Sequence, residues 1–241
     1  LEEIVPGTLY LVSTPIGNLG DFTFRAVHIL KHVDLIAAED TRVTSVLLKH
    51  YDIHKKMLPF HSYNQKRQTP HLIKFLKEEK SIALVSDAGT PGISDPAYVL
   101  VQAALEHDIQ IIPIPGASAI LSALVVSGLP INRFVFEGFL PLKKGRKSKI
   151  SALASEERTI VFYESPHRIQ KTVKELSESW GNRKCVMGRE ITKKFEEFYR
   201  GDLADLLFYI TQKAPKGEIV LILEGSPKAH RNRANIKQME K

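Results

Sequence analysis

The sequence predicts an α/β protein of two domains, the first built on a mainly parallel sheet. Three observations carry that expectation. Short runs that are apolar at every position alternate with segments of helical spacing through the first half, as strands covered on both faces by helices require. Turn-rich segments follow several of those runs. The stretch Ser127-Gly128-Leu129-Pro130 then interrupts the pattern, giving an N-terminal domain over 1–128, a C-terminal α/β domain over 129–225, and a basic tail over 226–241, disordered or cut short.

The elements follow in order. Thr8–Val12 is a β-prone run, Phe22–Val33 has apolar residues at helical spacing, and Asp34–Ala38 returns to strand character. Thr41–His50 reads as a helix, Met57–Phe60 as a short strand, and Pro70–Glu79 as a helix with Leu72, Phe75 and Leu76 on one face. Ser81–Val85 is a strand of the buried type. Asp95 as N-cap and Pro96 in the first turn open a helix through about Leu105. Ile109–Ile114 is a strand, and a small-residue helix runs from Gly116 to Val126. In the second half, strands are expected at Phe134–Gly138, Thr159–Tyr163, Lys184–Gly188, Glu196–Arg200 and Glu218–Leu223, with helices at Ile169–Ser179 and Leu203–Thr211.

Composition narrows the class. Hydrophobic residues make up 43 % of the 241, enough for a sizeable core. No apolar run approaches the ~20 residues that cross a bilayer, because Pro113, Pro115 and Gly116 break the longest one. There is no secretory leader pattern, and the single Cys185, in the run Lys184–Met187, is expected to be a buried strand residue. These features fit a cytoplasmic protein with no membrane association. Lys and Arg outnumber Asp and Glu by 34 to 27, which is compatible with a nucleic-acid partner. His28, His32, His50 and His54 lack supporting ligands at zinc spacing, so no metal site is expected.

Three segments carry the chemistry: Ser13–Asp21, Ser86–Asp95 and Pro115–Ala119. Each follows a predicted strand of the parallel sheet, so all three share its carboxyl edge, where ligands bind at a topological switch point. Glycine and alanine there let the backbone approach a ligand closely, and proline fixes the loop shape. The chain lacks both the dinucleotide glycine fingerprint and the phosphate loop ending in Gly-Lys-Ser/Thr. Asp87 is a candidate acceptor for ligand hydroxyl or amino groups, whereas Asp95 reads as a cap.

These segments, with Ala38-Glu39-Asp40-Thr41-Arg42, resemble the tetrapyrrole-methylase superfamily. Phe60-His61-Ser62-Tyr63-Asn64, Phe162–Arg168 and Gly188–Lys193 are similar to its ribosomal RNA methyltransferase branch, with the likeness running from about Gly7 to Glu224. The resemblance implies two α/β domains with S-adenosylmethionine in a cleft between them. It also implies a homodimer, and 2′-O-methylation of a cytidine ribose in the decoding region of small-subunit ribosomal RNA, free or within the ribosomal subunit. Members of that branch usually extend some tens of residues beyond the equivalent of Glu224. The cofactor residues expected are Pro15, Asp87, Ala88, Gly89, Thr90, Ser94, Pro115, Ala117 and Ser118, with Phe162 and Met187 as a wall from the second domain.

A ribose hydroxyl must lose its proton, and a positioned base contributes typically ~10²–10⁴-fold. Glu39, Asp40, His61, Glu164 and Lys193 are the candidates; His167 orients a phosphate or simply begins a helix. For RNA, Lys143-Lys144-Gly145-Arg146-Lys147-Ser148-Lys149 places five cations in seven residues, suited to phosphates or to a solvated loop and helix start. Arg42, Arg168 and Arg189, with Lys194, are further RNA-binding candidates. No RNA-recognition-motif, KH or zinc-ligand pattern appears, so recognition would use shape and positioned single-stranded bases. Two alternatives share the fold: a methyltransferase acting on a small tetrapyrrole, and a non-catalytic RNA-binding assembly factor.

Overall fold

A computed structural model describes residues 3–227; the expected basic tail from Lys228 onward lies outside the described residues. The chain divides between Ala119 and Ile120 into two compact units. The turn at Ser127–Pro130, expected as the boundary, lies beyond the helix that follows this division.

In the first unit the order is β1 (Leu9–Val12), α1 (Phe24–His32), β2 (Leu35–Ala38), α2 (Thr41–His50), β3 (Met57–Pro59), α3 (Gln65–Lys77), β4 (Ile82–Val85), α4 (Ala97–Leu105) and β5 (Ile111–Ile114). All five strands are parallel, in the spatial order β3-β2-β4-β1-β5. Alternation along each strand sorts the core into two layers. Tyr10, Val12, Ile36, Ala38, Ala83 and Val85 pack with Ile29 and Leu30 of α1 and Leu47 and Leu48 of α2. Leu9, Leu35, Ala37, Ile82 and Leu84 pack with Leu72 and Leu76 of α3 and Leu100 of α4. The connections from β1 to β3 run one way along the sheet and those from β3 to β5 run back. Right-handed crossovers therefore place α1 and α2 on one face and α3 and α4 on the other.

Helix α3 begins five residues before the expected start at Pro70, which lies inside it. Proline gives up one intrahelical bond there. Leu72, Ile73 and Leu76 compensate by burial, and the side chain of Thr69 donates to Gln65 O at 2.8 Å.

In the second unit come α5 (Ala119–Val125), β6 (Phe134–Phe139), α6 (Arg146–Leu153), β7 (Thr159–Glu164), α7 (Ile169–Trp180), β8 (Lys184–Arg189), β9 (Glu197–Asp202), α8 (Leu203–Gln212) and β10 (Ile219–Leu223). Its sheet is mixed, in the order β6-β7-β10-β8-β9, with only β6 and β7 parallel. One face packs on α7 and α8 through Phe162, Leu176, Met187, Leu206 and Leu221. Cys185 belongs to this core, and burial pushes its thiol up to about 12. Among the described residues, no helix is long and apolar enough to cross a membrane.

Candidate functional site

The parallel sheet brings the ends of β1, β2, β3, β4 and β5 to one edge. β1 and β4 are neighbours whose outgoing connections leave in opposite directions, so the loops after them flank the topological switch point. Those two loops are tied together there. Thr14 N–H donates to Gly89 O at 2.9 Å and Gly89 N–H returns a bond to Thr14 O at 3.1 Å. The Thr14 hydroxyl donates to Ser86 O at 3.1 Å, and the Ser13 and Thr90 hydroxyls lie 2.9 Å apart. The third loop closes in from β5: a Cβ on Gly116 would stand 2.8 Å from that of Ser13.

Within the β4–α4 loop, Gly89 and Gly92 adopt φ of +80° and +94°, and Ser94 holds a left-handed φ of 72°. A serine in that region stores of order 1–3 kcal/mol of strain. Asp95, expected as the N-cap, stands one residue before it: α4 starts at Ala97 with Pro96 as N-cap, and the Asp95 carboxylate accepts from Ala97 N at 3.1 Å and Gly92 N at 2.7 Å. Asp87, Ala88, Thr90 and Ser94 are exposed along this loop, as is Pro115 after β5, with Ala117 and Ser118 half-buried; Pro15 and Gly89 lie beneath the surface and shape the loops from below.

Acidic groups gather at the same edge. Asp87 Oδ1 accepts from Asp40 N at 2.9 Å, and Glu39 Oε2 accepts from Asp87 N at 3.3 Å. Burial, and then the charges of Asp87, Asp95 and Asp40, raise the proton affinity of Glu39. Burial likewise raises Asp87, with Asp40 adding to the effect. Asp40 goes the other way. Arg42 grips it through Nε at 3.0 Å and Nη2 at 2.6 Å, holding its carboxyl at about 2 while Asp40 caps α2 by accepting from Arg42 N at 2.8 Å. A carboxylate so held is a poor base. His61 sits just past β3, with a buried Nδ1 that has no hydrogen-bond partner.

The second unit alters the expected assignments. Register places Phe162, Leu221, Met187 and Tyr199 in one row and Tyr163, Val220, Gly188 and Phe198 in the next. Because successive residues face opposite sides of a sheet, Phe162 and Met187 point into the helix-covered core, both fully buried. Their side chains are therefore turned into the core and away from any ligand, while Tyr163 and Gly188 lie on the opposite face of the sheet. Glu164 is also interior. Its carboxylate accepts from Thr172 Oγ1 at 2.6 Å and Ser165 N at 2.8 Å and pairs with Arg168 Nε at 3.3 Å. That gives it an anchoring role in place of the expected catalytic one. Lys193 Nζ lies 3.0 Å from both Glu190 and Glu218, which raise its affinity for a proton after burial lowers it. A cation held that firmly is not a base.

The basic candidates divide in the same way. Arg146 is almost wholly buried, bound to Glu175 at 2.6 Å, Thr172 Oγ1 at 2.7 Å and Pro141 O at 3.2 Å. Arg168 joins this network, and Arg189 pairs with Glu197 at 2.5 Å. These three hold the fold together. Lys143, Lys144 and Lys147 are exposed, and Lys149 pairs with Glu137 at 2.5 Å. Sequence reasoning also passed over Ser13 and Gly116 as individual residues. The signal was present: a small residue directly after β1 and another two residues past β5, at loops expected to converge.

Comparison with known proteins adds the lineage. Residues 8–207 match the model of the Tetrapyrrole (Corrin/Porphyrin) Methylases. A protein of Synechocystis sp. named ribosomal RNA small subunit methyltransferase I is 51 % identical over 222 residues, covering 91 % of this chain and 80 % of that one. The protein of the same name from Thermotoga maritima is 46 % identical over 219 residues, covering 91 % of this chain and 99 % of the relative. The expected extension past Glu224 is thus not common to all relatives. Among solved structures, a cobalt precorrin-4 methyltransferase of cobalamin biosynthesis shares the fold at TM-score 0.69 and 16 % identity, covering 90 % of this chain and 95 % of that one. A uroporphyrin-III C-methyltransferase from Thermus thermophilus, complexed with S-adenosyl homocysteine, does so at TM-score 0.63 and 17 % identity, covering 90 % and 97 %. The chain belongs to the tetrapyrrole methylase family of methyltransferases and, within it, to the group named ribosomal RNA small subunit methyltransferase I.

Proposed function

We propose that the chain transfers a methyl group from S-adenosylmethionine to the 2′-hydroxyl of a cytidine ribose in the decoding region of small-subunit ribosomal RNA. The observation that carries the donor assignment is the cluster of Glu39, Asp87 and Asp95 at the switch point, in a chain whose net charge is +7. S-adenosylmethionine carries a sulfonium and an ammonium and, when bound, supplies an activated methyl group. A negative edge suits both cations, and exposed backbone at Ala88 and Thr90 suits the adenine and carboxylate ends. Ser13, Thr14, Gly89 and Gly116 hold the loops in register, so the edge is shaped before any ligand arrives. Such orientation can supply about 7–11 kcal/mol of a barrier.

The acceptor assignment rests on the relatives' name and on the positive excess. With Asp40, Glu164 and Lys193 engaged elsewhere, the proton acceptor comes from Glu39 or His61, both at this edge. Lys143, Lys144 and Lys147 meet RNA phosphates. A homodimer working in the cytoplasm follows from the family likeness, and sedimentation of the purified protein checks the dimer.

The test is methyl transfer from labelled donor to purified small ribosomal subunits, with naked ribosomal RNA and a tetrapyrrole as parallel acceptors. Label resistant to alkali at one ribose supports the reading. Label on the tetrapyrrole alone, or none despite calorimetric binding of the donor, overturns the acceptor assignment.

A further inference from the structure

Resting on that RNA reading, we infer that Tyr63, on the turn after β3, is a stacking platform for an unpaired base of the substrate. Tyr63 is the most exposed large apolar side chain among the described residues, at 99 %. An aromatic ring left entirely in water gains nothing for folding, since burial of its apolar surface is what stabilises. Yet the backbone beneath it is firmly held. Asn64 Oδ1 accepts from His61 N at 2.8 Å, Asn64 Nδ2 donates to Pro59 O at 2.9 Å, and Asn64 N donates to His61 O at 2.9 Å. The His61 ring meets the Tyr63 ring edge-on, with centroids 6.1 Å apart. The phenol is thus presented on a rigid turn.

Arg42 lies in the first turn of α2, which follows the neighbouring strand β2. Ala38 and Pro59 are register partners; Arg42 follows the first and Tyr63 the second by the same number of residues. Adjacent strands run ~4.8 Å apart, so both residues follow neighbouring strands at the carboxyl edge. The Arg42 side chain is 88 % exposed, and Asp40 holds its guanidinium by the edge. An edge-paired guanidinium has its phosphate-gripping donors partly occupied while both flat faces stay open. Flat arginine and tyrosine surfaces are what splayed, single-stranded RNA bases stack upon. Both lie on the edge that holds Glu39 and His61, so a base bound here would adjoin the reacting ribose.

The experiment compares the parent, Tyr63→Ala and Tyr63→Phe in binding a fluorescent single-stranded RNA oligonucleotide and in calorimetric binding of S-adenosylmethionine. Stacking of one base is worth about 1–3 kcal/mol, so Tyr63→Ala should weaken RNA binding by about 5- to 150-fold. Tyr63→Phe should bind as the parent does, the salt dependence should keep its slope because no phosphate contact is lost, and donor affinity should not move. Parental RNA affinity in Tyr63→Ala overturns the platform and leaves the RNA reading standing. A parent that binds the donor but no RNA overturns both.

Discussion

The convergence of three loops on one strand edge makes Gly116 the most demanding position in the first unit. An alanine there would bring its Cβ to 2.8 Å from Ser13 Cβ and 3.4 Å from Ser13 O. Non-bonded carbons rest at about 3.5–4.0 Å, so one loop must retreat by roughly 0.7–1.2 Å. Overpacking of this kind costs typically 1–3 kcal/mol. At roughly 2–4 °C per kcal/mol for a chain of this size, Gly116→Ala should lower Tm by about 2–12 °C. The larger effect falls on chemistry, since a displacement of ~1 Å can cost about 10²-fold in rate. Calorimetric donor titration and methyl-transfer kcat/KM should both fall. Ser13→Gly removes the obstructing Cβ at the loss of the hydroxyl pair with Thr90, so in that background Gly116→Ala should cost markedly less. Parental Tm and kcat/KM in Gly116→Ala, or strict additivity of the two substitutions, would refute the clash.

Three further outcomes are expected. Glu164→Ala takes the buried carboxylate away from Arg168 and Thr172 and should cost about 3–5 kcal/mol in urea denaturation, with turnover per folded molecule unchanged; intact stability with lost turnover would restore a catalytic role. Replacing Lys143, Lys144 and Lys147 together by Ala should flatten the salt dependence of single-stranded RNA binding by a slope of about 2, and an unchanged slope would remove that loop from the interface. Asp87 has a raised proton affinity in the folded state. Its contribution to stability is therefore fully present below its ordinary value of 3.8 and lost as pH rises through the folded value. Asp87→Asn should then equal or exceed the parent in Tm at neutral pH, lose that advantage in acid, and bind the donor more weakly. A variant less stable than the parent at neutral pH but not in acid would contradict the sign.

What was legible in the sequence follows from which features repeat locally. Every strand of the parallel sheet was expected within two residues because burial on both faces demands an uninterrupted apolar run, as in Ile82–Val85. The loops after β1, β4 and β5 were legible as well, since they combine glycine and proline just past such runs. The orientation of Phe162 and Met187 was not. Neighbouring residues of a strand differ in face by parity alone, and Val161, Phe162 and Tyr163 are all apolar enough for either side. Arg146 was misread for a related reason. Nothing in five cations over seven residues marks the one that meets Glu175 and Thr172, which lie more than twenty-five positions away. Helix α6, with only Ile150 and Leu153 of its apolar residues buried, had too thin a stripe to announce itself beyond its first turn.

The burial of Arg146 has a consequence for how its neighbours behave. A lysine-rich loop free in water samples many shapes, and each ordered residue loses roughly 1–2 kcal/mol of backbone freedom when a polyanion captures it. Here the guanidinium of Arg146 pins the start of α6 to α7 through Glu175 and Thr172. Lys147 therefore projects from a helix already anchored in the interior, and Lys143 and Lys144 lead directly into that anchor. A polyanion captured by this loop would find part of the ordering already done by folding.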